Sequence, residues 1–161
     1  MPPTTGGPQI FNAIRTTRVG NVGAGATDLL TLIVPAFILK NDGDQLLITA
    51  SCILAANTNN KTTSLLFGST ALTSRGPAGD NGIGQLHEAW VTRLAGNTQQ
   101  SHGVIMNGAT ATVVGTIQDS IAEDPGAPIT MKLRATGTAD NDIVSRFLRV
   151  AYIPASYLVG G

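Results

Sequence analysis

Short apolar stretches alternate with clusters of turn-forming residues along most of this chain. The clearest passage runs from residue 29 to residue 67. Residues 29–34 are apolar except for Thr31, a pattern that predicts a strand buried on both faces. Pro35 then belongs at a strand end, a bulge or an edge. Lys40-Asn41-Asp42-Gly43-Asp44 is a turn signal. Between 45 and 56 the pattern has a period of two. Leu46, Ile48, Ala50, Cys52 and Leu54 share one face, while Thr49 and Ser51 point the other way. Leu47 and Ile53 make that second face partly apolar. The turn-rich Asn57-Thr58-Asn59-Asn60-Lys61 follows, and residues 62–67 are expected to pair back across it.

Residues 1–9 contain Pro2, Pro3, Pro8, Gly6 and Gly7 and have no periodicity, so they read as a flexible N-terminal arm. A first strand is expected within 9–19, with Ile10, Ile14 and Val19 as its apolar points. Residues 76–84 form a glycine-rich loop. A strand over 86–94 has Leu86, Trp90 and Leu94 on one side, and Trp90 is expected in the core. Residues 98–107 and 111–117 suggest a hairpin around Asn107-Gly108. An acidic connection over 117–128 leads to a strand over 129–136, a turn at 138–142 and a last strand over 143–153. Parity puts Ile143, Phe147, Ala151 and Ile153 on one face of that strand, and Val144, Leu148, Val150 and Tyr152 on the other.

The sum is an all-β chain of eight to ten strands without a convincing helix. Turn signals recur about every 8–12 residues, the spacing of a sandwich or barrel. A jelly-roll β-sandwich of about eight strands fits best. The expected division is 1–25 for the arm and first strand, and 26–161 for the sandwich. No fixed repeat supports a propeller or solenoid.

Composition adds one unusual fact. Charged residues make up 12% of the 161, against roughly 25% in ordinary soluble domains. Threonine and asparagine take their place. Ten basic and ten acidic residues cancel, so electrostatic protection against association is weak. This favours a surface that is largely covered in the working state. The absence of a basic stripe argues against nucleic acid as a partner. No apolar run reaches the ~18 residues of a membrane helix. The start has neither the basic nor the apolar region of a secretory signal. Cys52 stands alone, so no intrachain disulfide can form, and its apolar surroundings mark it as a small core residue.

Candidate chemistry is sparse. His87 and His102 are the two histidines, without an H-x-H pair, and Glu88 beside His87 belongs to the opposite strand face. Ser101, His102 and Asp119 lack a nucleophile elbow. Asp42, Asp44, Asp140 and Asp142 lie in turns, where acids serve backbone needs more often than calcium. The glycines of 76–84 lack the phosphate-loop lysine. Asn60-Lys61-Thr62 matches a glycosylation sequon, which matters only in a secreted eukaryotic protein. The reading is therefore a non-enzyme without cofactor or metal. Arg93, Arg146 and Arg149 are strand arginines suited to ion pairing across a subunit boundary. Parity puts Arg146 and Arg149 on opposite faces.

Pro35, Leu39, Gly43-Asp44, Leu46, Ile48 and Ala50, then Ala55-Ala56-Asn57, Asn59-Asn60-Lys61 and Leu66-Phe67-Gly68, resemble a module of tailed-bacteriophage virion proteins. The strand bearing Trp90-Val91-Thr92-Arg93, with the hairpin after it, is similar too. The resemblance covers roughly residues 26–153 and rests on turn and strand patterns. It implies a trimeric jelly roll that serves as a capsid decoration (cement) protein or as a domain of a head or tail fibre. The expectation is a homotrimer made in the host cytoplasm and bound to the major capsid protein on the capsid surface of the virion. Pro2, Pro3, Pro8, Ile10 and Phe11 would anchor it, with Arg93, Arg146 and Arg149 at subunit boundaries. The alternative is a receptor- or carbohydrate-binding head of a fibre or tail protein, using the 76–84 loop.

Overall fold

The computed structural model describes residues 11–78, 82–95, 98–108, 113–121 and 123–157. Among these lie ten strands: β1 (Asn12–Arg15), β2 (Ala26–Val34), β3 (Gln45–Leu54), β4 (Lys61–Phe67), β5 (Thr70–Ala78), β6 (Gly84–Arg93), β7 (Gln99–Asn107), β8 (Val113–Ile121), β9 (Ile129–Thr136) and β10 (Ile143–Ile153). A 3-10 turn, Ala155–Tyr157, follows β10.

The strands form two antiparallel sheets. One has six strands in the order β1-β10-β3-β6-β7-β8, and the other has four in the order β2-β9-β4-β5. The pairings nest: β1 with β10, β2 with β9, β3 with β6, β4 with β5. That nesting is a jelly roll. The hairpin β7–β8 is an addition between β6 and β9, and it widens the larger sheet.

The core lies between the sheets. Leu46, Ile48, Ala50, Cys52 and Leu54 of β3 are at most 2% exposed, facing a layer that includes Leu65, Phe67, Met131 and Leu133. Burying each large side chain contributes roughly 1.5–3 kcal/mol. The expected alternation of β3 is therefore present, and Cys52 is a core residue. Burial pushes its thiol pKa up to about 12.

Several expectations need correction. Residues 62–67 do not pair back onto β3. The chain crosses to the other sheet, where β4 lies between β5 and β9. The asparagine-rich loop can cross because its polar groups are satisfied elsewhere: Asn57 and Asn59 donate to Asp142 across the sandwich end, and Lys61 Nζ reaches the Asn57 and Asn59 carbonyls. β2 is an edge strand rather than one buried on both faces. A bulge between Asp28 and Leu30 turns both Leu29 and Leu30 inward, while Ile33 is 64% exposed. Pro35 directly follows its last residue.

β5 covers residues 70–75, to which the pattern assigns no element, and runs on into the first residues of the 76–84 stretch expected to be a loop. The first strand is shorter than 9–19, and Ile14 faces solvent. Met106 pairs with Val113, so β7 and β8 are not joined by a two-residue turn at Asn107-Gly108. Asn107 is instead buried and bonded to Gln85. In β10 a bulge between Ser145 and Phe147 shifts the parity: Ile143, Ser145, Leu148 and Val150 face the core, while Val144, Phe147, Arg149 and Ala151 face out.

Candidate functional site

Each group of candidate catalytic residues is split by the fold. In β6 the inward positions are Gln85, His87, Ala89 and Val91, so Leu86, Glu88 and Trp90 face outward. This reverses the expected placement of Trp90. The reversal is possible because the polar inward side chains find partners. His87 Nδ1 lies 2.8 Å from Thr73 Oγ1, and its Nε2 lies 3.1 Å from Gln85 Oε1. Gln85 also meets Thr63 and, at 2.9 Å, Asn107. A buried polar group without partners would be costly. Burial also holds the His87 pKa down at about 4, so the ring is neutral.

His102 is exposed on the outer face, opposite in sense to His87. Ser101 points inward beside it, and Asp119 is exposed on β8. These residues cannot act together.

The turn aspartates have structural duties. Asp142 is 1% exposed. It accepts the Thr138 and Ala139 N–H groups at 2.8 Å each and the Asn57 and Asn59 amides at 2.7 and 3.0 Å. Burial alone would raise its pKa, but these donors hold it well below the usual carboxylate range. Asp44 accepts the Lys40, Asn41 and Ala155 N–H groups. Against the opposing effect of burial, these bonds and Tyr152 lower its pKa as well. Both carboxylates thus close their own turns by accepting backbone N–H groups.

The expected contact residues divide. Pro2, Pro3, Pro8 and Ile10 lie outside the described residues. Phe11 is half-buried against the core, and its carbonyl accepts the Tyr152 N–H at 2.8 Å. Arg93 ties down the β2–β3 connection, with Nη1 on the Leu39 carbonyl at 2.5 Å and Nε 3.7 Å from Asp42. Arg146 is exposed at the β10 bulge, and Arg149 is exposed on the outer face beside β1. The bulge brings both to the solvent side and so removes the opposite-face assignment.

The unusual surface is the outer face of the six-stranded sheet. One row across it reads Ala151, Leu47, Trp90, His102, Ile117. The next reads Ile14, Arg149, Thr49, Glu88, Val104, Gly115. A third carries Phe147, Ser51, Leu86 and Met106, and a fourth Val144 and Ile53. Ile14 and Ile117 are 60% and 63% exposed. Arg149 and Glu88 are the charges within these rows.

The outer face of the four-stranded sheet is different. It carries Asp28, Thr31, Ser64, Ser74, Thr130, Lys132 and Arg134, with Ile33 at its β2 edge and the covered Leu66 as its apolar members. The four-stranded face is mostly polar, whereas the six-stranded face carries more large apolar side chains than a solvated sheet usually does.

No family profile and no curated protein matches this sequence. Solved structures superpose on it at low similarity. A protein of unknown function from Shewanella oneidensis gives a TM-score of 0.46 at 8% identity, covering 91% of this chain and 88% of that one. The protein of infectious bursal virus-derived T=1 particles gives 0.42 at 8% identity, covering 92% of this chain and 32% of that one. Peanut lectin gives 0.39 at 8% identity, with 93% and 94% covered.

Proposed function

We propose that this protein is a structural subunit that assembles with its own copies through the outer face of the six-stranded sheet. The assembly is a homotrimeric capsid decoration protein on the outside of a tailed-phage head, bound to the major capsid protein. The observation that carries the assembly reading is the number of large apolar side chains on that face, with Leu47 and Trp90 in one row and Phe147, Leu86 and Met106 in another, on either side of the Arg149–Thr49–Glu88 row. The phage assignment rests on the resemblance in residues 26–153.

The size of the face supports the reading. Six strands at about 4.8 Å spacing and strands of about ten residues give roughly 24 by 30 Å, on the order of 700 Å². A standard interface takes about 800 Å² from each partner. Aromatic residues and arginine are enriched in such interfaces, and Trp90 and Arg149 supply them here. A protein that binds only the assembled shell stabilises that shell by mass action.

The test is to add the purified protein to phage heads that lack it and measure their resistance to heat and to chelator. Restored resistance supports the reading. Heads that take up no protein and gain no stability contradict the decoration role.

A further inference from the structure

Two exposed stretches of the chain meet at one corner of the sandwich. The Val34–Ile129 pairing sets the end of β2 beside the start of β9, and the Phe37 N–H donates to the Pro125 carbonyl at 2.7 Å. Ile33, Pro35 and Phe37 of the first stretch are exposed, as are Ala127 and Pro128 of the second. All five side chains are apolar, and Ile33 and Phe37 are 64% and 61% exposed.

Phe37 stands there at a backbone φ of 61°. Bulky residues rarely adopt that left-handed conformation. Glycine or asparagine would adopt it at lower cost. Ile38 and Leu39 already turn toward the core, so packing does not require an aromatic ring at 37. An unfavourable conformation kept on the surface points to a role for the side chain itself. The ring lies along the 124–126 turn, 3.5 Å from where a Cβ on Gly126 would be.

The chain enters the sandwich at the same corner. Phe11 precedes β1, and its carbonyl accepts the Tyr152 N–H near the end of β10. The loop before β2 is bonded to Ile143, at the start of β10, so β2 ends where β10 ends. Both β1 and β10 lie against β2. Facing sheets are about 10 Å apart, and ten extended residues reach about 33 Å. Residues 1–10 carry no charged side chain and include Pro2, Pro3, Pro8 and Ile10. Proline-rich segments dock on aromatic surfaces at low entropic cost.

We propose that residues 1–10 dock on this corner of their own copy, with prolines packed against Phe37 and Ile33. The short tether holds the segment at an effective concentration on the order of 1 mM, which favours its own copy over a neighbour. The corner is not on the outer face of the six-stranded sheet, so the inference does not depend on the assembly reading.

The experiment uses the full chain with a nitroxide at residue 4. Cys52 is fully buried and its thiol pKa is pushed up to about 12, so Thr4→Cys supplies the reactive thiol. NMR then measures the relaxation that the nitroxide adds to each backbone amide. The amides of Ile33, Phe37 and Ala127 should gain at least about fivefold more than those of Ala13 and Tyr152. Phe37→Asn keeps the positive φ without the ring, and Ile33→Thr keeps a strand former. Each should remove that excess. An effect centred on Phe11, as for a tethered but undocked segment, overturns the proposal. So does an excess that both variants retain. A final sample contains spin-labelled copies and nitrogen-15 copies without the label, unfolded and refolded together. Relaxation at Ile33 and Phe37 of the nitrogen-15 copies would show docking on a second copy and overturn the assignment to the same chain.

Discussion

Leu47 and Trp90 are direct cross-strand partners on β3 and β6, and both face away from the core. Such a pair, roughly 5 Å apart, belongs inside a protein more often than on its surface. Their neighbours Ala151 and His102 continue the row on either side. If the face packs against another copy, Trp90→Lys or Leu47→Asp should dissociate the assembly. The monomer should keep its fold, with stability lowered by about 1 kcal/mol, since each change removes a cross-strand pair and puts a poor strand former on a central strand. Sedimentation and urea unfolding of each variant separate the two effects.

Acid should weaken the fold in two stages. The His87 pKa falls from 6.5 in the unfolded chain to about 4 in the folded one. The unfolded state therefore binds the proton first. Stability is full above about 6.5 and drops as pH falls toward 4, by on the order of 3 kcal/mol in all. Asp142, Asp44 and Asp28 shift downward, the last chiefly through Arg134. Their contribution is present above 3.8 and is lost below it. Urea midpoints at pH 7.5 and 4.5 test the first stage. A His87→Gln protein should be less stable at pH 7.5 and nearly flat between those values.

Asp142 closes one end of the sandwich. Asp142→Ala leaves the Thr138 and Ala139 N–H groups and two asparagine amides without their acceptor. A loss of at least about 3 kcal/mol is expected. Equilibrium unfolding in urea checks this, and retained wild-type stability would remove Asp142 as the tie between the two loops.

Gly103 is where the added hairpin meets the smaller sheet. A Cβ there would lie 2.6 Å from the Leu72 carbonyl oxygen and 2.4 Å from Thr73 Cγ2. The side chain can turn but the backbone cannot, so Gly103→Ala should cost about 1–3 kcal/mol. Thermal unfolding against the wild type measures it.

Much of the sandwich was legible from alternation alone. β3 is the clearest case, because five consecutive inward positions are apolar and nothing competes with that pattern. β5 was missed because Gly76 and Pro77 punctuate it and its inward Thr73 is polar. The same chemistry misled the reading of β6. Gln85 and His87 look like surface residues until Thr63, Thr73 and Asn107 are brought to them by distant strands. The β10 bulge is invisible in sequence, since Arg146 fits either face. Of the candidate site, Leu47 and Ile53 already marked the outer face of β3 as partly apolar. Its apolar neighbours Trp90, Leu86 and Phe147 join it only when β6 and β10 align beside β3.

The most direct test of the account is the mass of the purified protein by light scattering at low and high salt. A trimer joined through the six-stranded sheet gives a species near three times 16.5 kDa that persists at high salt, because an apolar interface is not screened. A monomer of 16.5 kDa at every salt concentration, with Trp90 accessible to a fluorescence quencher, would contradict it.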